Sequence, residues 1–121
     1  MYSLEAGVEL LIRTQRVYEN APWVEYTSAD RAYIDTSKLT EHMGAWSGGE
    51  QRVARIALSL MSGSPVDLRE ELAGLDREYL SLVLAAVAHA GGSHEQSEPT
   101  FEEGGYRGNT SLPALYEWPS L

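Results

Sequence analysis

Between Ser47 and Gly63 the chain carries both ends of a helix and the face that helix must bury, and this run constrains the fold more than any other. Ser47-Gly48-Gly49-Glu50 has the spacing of a capping box, in which the Ser side chain accepts from the N3 amide and the Glu side chain reaches back to the N-cap amide. Val53, Ile56, Ala57, Leu60 and Met61 then recur at helical spacing, while Arg52, Arg55, Ser59 and Ser62 fall on the other face. Gly63 supplies a left-handed stop. A segment of this kind is stable only when its apolar face is covered, so the chain is expected to fold by packing helices.

Other segments repeat the pattern. Ser3 can cap a first helix whose Leu4, Val8, Leu11, Ile12, Gln15 and Tyr18 form a stripe, ended by Asn20-Ala21-Pro22. Thr36 or Ser37 caps a brief helix from Lys38 to Met43. Asp67 and Glu70 repeat the capping spacing ahead of Leu68, Leu72 and Leu75, and Asp76 starts a further helix closed by Gly91-Gly92. That helix is apolar on nearly every side from Tyr79 to Ala88, the mark of a central helix around which the others pack. Trp23–Tyr26 and Arg31–Ile34 are aromatic and β-branched and flank a turn-prone Thr27–Asp30, which predicts a short β-hairpin. The expected fold is mainly α: a small bundle of four to five helices with a short hairpin and an extended C-terminal tail.

At 121 residues the chain suffices for one core, in a helical domain over residues 1–90. From residue 91 to 121 the expectation is a polar tail. After Gly92 the composition turns to Gly, Ser, Glu, Gln and Pro, which does not bury enough surface to order itself. The final residues reverse this. Leu112, Leu115, Tyr116, Trp118 and Leu121 are apolar anchors between prolines, as in an extended docking peptide, or in a segment that folds back on its own domain.

A formal charge of −9 argues against roles that neutralise a phosphate backbone, so nucleic acid is not an expected partner. No cysteine is present, which excludes disulfides, thiolate catalysis and sulfur-held zinc. The N-terminus has no basic region ahead of an apolar stretch, and the longest apolar run, Leu82 to Ala88, is too short for a bilayer. No membrane association and a cytoplasmic location are expected.

The residues Trp46–Leu60 resemble the signature motif of ABC-type ATPases, with Ser47, Gly48, Gly49, Glu50 and Arg52 at the matching positions. The resemblance implies a hydroxyl and amides offered to a γ-phosphate. The rest of that machinery is missing: the only lysine is Lys38, with no glycine in Asp35-Thr36-Ser37 before it, and no apolar strand ending in Asp-Glu follows. Helix capping accounts for the run. An anion at Ser47, Gly48, Gly49 and Arg52, favoured by exposed amides and the dipole, is the second role weighed.

Catalytic and metal-binding groups are thin. His42, His89 and His94 are ill spaced for a metal site, Ser47 has no His–Asp partnership, and no dinucleotide fingerprint occurs. No enzyme activity, cofactor or metal is expected. The order of Ile34–Leu39, Trp46–Glu50 leading into an Ala-Leu-rich helix, and Leu75–Tyr79 is similar to small uncharacterised proteins of actinobacteria and their phages. That resemblance implies an accessory protein of a phage or mobile element, acting in the host cytoplasm by binding host proteins. The expected function is therefore non-enzymatic protein binding through Trp46 and the Leu112, Leu115, Tyr116, Trp118 and Leu121 tail. The alternatives are a structural subunit of a homo-oligomer or virion, and a phosphate- or nucleotide-responsive module.

Overall fold

A computed structural model describes residues 2–28 and 31–120. Among them are five α-helices and two small antiparallel hairpins: α1 (Tyr2–Arg13), β1 (Val24–Ser28), β2 (Arg31–Ile34), α2 (Thr36–Met43), α3 (Gly48–Ser62), α4 (Leu68–Ala73), α5 (Arg77–Ala90), β3 (Ser97–Glu102) and β4 (Gly105–Ser111), with a 3-10 turn at Ser93–Glu95. The fold is thus largely helical with short strands rather than a purely helical bundle.

The helix starts follow from short polar side chains. Ser47 accepts from the Glu50 amide at 3.3 Å, Asp76 from the Tyr79 amide at 2.7 Å, and Asp67 from the Arg69 amide at 3.0 Å. Two details differ from the sequence reading. The cap of α2 is Asp35, which accepts from Ser37 and Lys38 at 3.1 Å each, because its carboxylate reaches both orphan amides from outside the first turn. Glu50 turns away from the N-cap and pairs with Arg16 at 3.3 Å, so only half of the capping box forms. Gly63 ends α3 at φ 76, as expected.

The first helix stops at Arg13, seven residues before Asn20. Gln15 takes φ 62, and the Arg16 amide reaches back to the Leu11 carbonyl at 2.7 Å, the bond that closes a Schellman motif. Thr14 seals the end by donating its hydroxyl to Leu10 O at 2.9 Å. The buried face of α1 is Ala6, Gly7, Leu10 and Leu11, rotated from the predicted stripe, so that Leu4 and Ile12 are about half exposed. Gly7 explains the rotation: a Cβ there would lie 2.4 Å from Met61 Cγ and 2.7 Å from the Ala57 carbonyl, so α1 and α3 meet backbone to backbone.

The central helix is therefore α1, lying between α3 and α5, and not the helix that is apolar all round. Leu82, Val83, Ala85 and Ala86 of α5 enter the core, whereas Leu80, Leu84 and Val87 stay exposed. The core gathers Leu10, Leu11, Leu39, Val53 and Leu82, all essentially inaccessible, with Trp23 at one edge. Trp23 is held by donating its indole N–H to Arg16 O at 2.8 Å. The predicted first hairpin pairs Val24 with Ile34 and Tyr26 with Ala32; residues 29 and 30 of its turn lie outside the described residues.

Beyond Gly92, where composition predicted no order, β3 and β4 form a second hairpin. Its side chains bury little, and its contacts are chiefly between its own two strands, so the ladder rather than a core holds it. Arg107 is an extra residue on β4, between the Thr100–Gly108 and Phe101–Tyr106 pairs, and bulges that strand.

Candidate functional site

The C-terminal segment does two things at once. The Leu112 amide donates to Gln96 O at 2.8 Å and extends the β3–β4 ladder by one rung, after which the chain turns back onto the helices. Trp118 is half-buried against the core, its indole N–H donating to His89 Nδ1 at 3.2 Å. The Arg13 guanidinium lies 4.9 Å over the Trp118 ring and donates to Pro119 O at 2.9 Å. One arginine of α1 thus grips the tail by its ring and its backbone, while its Nε is neutralised by Glu9 at 2.7 Å. Of the two fates open to the tail in the sequence, Trp118 takes the fold-back.

Leu115 and Tyr116 face outward. The Tyr116 hydroxyl lies 3.0 Å from Ser81 Oγ, which lays its ring along α5 beside Leu80 and Leu84 around a cavity of about 180 Å³. Leu115, adjacent in sequence, is 82% exposed. Leu80, Leu84 and Val87 therefore form an exposed apolar stripe of α5, on which the Tyr116 ring lies beside Leu80, Leu84 and Arg77. Sequence reasoning found Leu115 and Tyr116 but missed the α5 part, because the same apolar periodicity that marks a buried helix also marks one with a second, uncovered face. Leu112 is half-buried at the root of the hairpin, and Leu121 lies outside the described residues.

Trp46 sits elsewhere. It is half-buried, with its ring 5.4 Å from Trp23 and the Arg16 guanidinium 5.1 Å over it. Trp23 also touches Tyr18 and His42, so Trp46 is one of three aromatic rings gathered around Trp23, and the two others are the more exposed. Arg16 joins this cluster to the α3 start through Glu50. Tyr79 lies against Gly49, and burial, followed by the Glu50 carboxylate, pushes its phenol above the ordinary value.

The anion-binding set is not brought together. Ser47, Gly48 and Gly49 are at the α3 N-terminus, but Arg52 turns along the helix, donates to Glu70 O and covers Gly74, where a Cβ would meet its guanidinium. Arg55 is likewise engaged, with Glu71 at 2.5 Å, a carboxylate otherwise buried. The helix start offers amides and a dipole, and the guanidinium that reaches it, that of Arg16, is already paired with Glu50. Among the described residues no three His, Asp or Glu side chains are placed to hold a metal ion, and no helix is long and apolar enough to cross a membrane.

No protein-family model, curated protein or solved structure matches the chain.

Proposed function

We propose that the protein is a non-enzymatic interaction protein that binds a partner protein through the face formed by Leu80, Leu84 and Val87 of α5 with Leu115 and Tyr116 of the tail. The observation that carries this reading is that Trp118 fixes the tail in place with Tyr116 laid beside the exposed Leu80 and Leu84, while Leu115, its neighbour in sequence, is left 82% exposed. Large apolar side chains gathered in this way cost solubility unless something covers them. The residues on α5 have the i, i+4, i+7 spacing that a partner helix reads.

The partner's chemistry follows from charge. An apolar centre on a chain of net charge −9 fits a surface with an apolar middle and a basic rim. The likeness to phage and actinobacterial proteins makes a host protein in the cytoplasm the expected class. Copurification tests the reading: Leu84→Glu on the exposed face should abolish partner recovery with the fold intact, and unchanged recovery would remove it.

A further inference from the structure

We infer that two copies of this chain associate by inserting the tip of the β3–β4 hairpin of each into the apolar groove between α1 and the β1–β2 hairpin of the other. The hairpin is an arm: nearly every residue from Ser97 to Ser111 is exposed. Its tip carries Phe101 and Tyr106, 68% and 62% exposed, with ring centroids 6.0 Å apart. The Tyr106 hydroxyl is tied to Asn109 Oδ1 at 3.1 Å, which fixes one ring of the pair.

The edges of the arm are blunted. Pro99 withholds an amide on β3 and the Arg107 bulge distorts β4, both devices that discourage strand addition. What remains available is the ring pair. A two-stranded ribbon is marginal alone in water, so its order gains from being gripped.

The same molecule presents a matching receptacle. Two adjoining cavities of about 320 and 230 Å³ share Val8, Ala32, Tyr33 and Ile34, with Leu4 and Met61 at one end and Ile12 at the other. Among the described residues no charged side chain lines either one. Each exceeds the roughly 150 Å³ that accommodates a benzene ring in an apolar cavity. Two rings on one hairpin tip are thus matched in number by two adjoining apolar cavities. Covering both rings together with Leu4, Ile12 and Tyr33 removes roughly 500 Å² per copy, and a reciprocal pair about 1,000 Å², the lower bound for a specific interface. The contact uses neither α5 nor the tail, so it is independent of the proposed partner face.

Sedimentation of the full-length chain up to about 1 mM, beyond which association is too weak to be specific, tests this. The wild type is expected to dimerise. Phe101→Ser with Tyr106→Ser, and separately Ile12→Glu, should each weaken the dimer at least about thirtyfold, as loss of central aromatic anchors does. An equimolar mixture of these two variants retains one intact arm and one intact groove and should associate more tightly than either alone. Leu84→Glu should leave the dimer unchanged. A monomeric wild type, a dimer that survives the arm substitutions, or a mixture that shows no recovery would overturn the inference. Should Ile12→Glu fail to fold, Leu4→Glu at the other end of the groove replaces it.

Discussion

The indole N–H of Trp118 donates to Nδ1 of His89 across 3.2 Å and joins the end of the tail to the end of α5. An indole has only a donor to offer, so His89 must keep Nδ1 free of a proton and carry it on Nε2, which faces Glu5 Oε2 at 3.6 Å. His94 stacks on the same imidazole with ring centroids 4.9 Å apart. The first helix, the last helix, the 3-10 turn and the tail therefore meet at one side chain.

Substitutions at this junction should release the tail. Trp118→Phe keeps a ring and loses the donor, and should cost about 1 kcal/mol. Trp118→Ala also loses packing of a half-buried ring and should cost about 2 kcal/mol, below the range for a fully buried tryptophan. Urea denaturation measures the cost, and faster amide exchange confined to residues 112–120 would identify the tail as the part set free.

How much of this was legible in the chain depends on where each signal is encoded. The third helix was readable because Ser47 and Gly63 announce its ends within the sequence. The end of α1 was not, because the left-handed residue is Gln15, whose side chain gives no sign of that conformation. The second hairpin was hidden because its strands bury no face and so lack alternation; Gly104-Gly105 between Phe101 and Tyr106 was the available turn signal, with Gly105 at φ 108. The tail's anchors were visible, yet their division into inward Trp118 and outward Leu115 depends on Arg13 and His89, far away in sequence.

Gly7→Ala should destabilise the fold by about 2 kcal/mol despite alanine's better helix propensity, because the added methyl meets the Ala57 carbonyl as well as Met61. Met61 can swing aside, but the carbonyl moves only with α3. Thermal unfolding measures this, and an unchanged or raised midpoint would mean that the two helices are not in close contact.

Ser47→Ala removes the side chain that accepts from the Glu50 amide and should cost about 1 kcal/mol. With Arg52 engaged at α4, inorganic phosphate should not shift the unfolding midpoint of the wild type. A phosphate-dependent rise abolished by Ser47→Ala would favour the anion-binding role instead.

The raised phenol of Tyr79 gives a signed pH dependence. The fold holds Tyr79 neutral, so its contribution is fully present below the ordinary value of 10.0 and is lost as pH rises through the higher folded value. Tyr79→Phe should flatten the alkaline limb of the stability curve relative to wild type. Identical alkaline limbs would contradict the burial of that ring against Gly49.

Self-association through apolar arms between chains of charge −9 should strengthen with salt, since screening weakens the repulsion and leaves the ring contact intact. Sedimentation at about 0.05 and 0.5 M salt, where the screening length falls severalfold, should show the tighter dimer at the higher concentration. A dimer weakened by salt would point to ion pairs rather than to Phe101 and Tyr106.

The partner face is tested most directly by placing a photo-crosslinking residue at 84, at 115 and, as a remote exposed control, at 69, then irradiating cells that express the chain. Binding through α5 and the tail predicts one discrete protein adduct shared by positions 84 and 115 and absent at 69. The same adducts at all three positions, or none at 84 and 115, would contradict it.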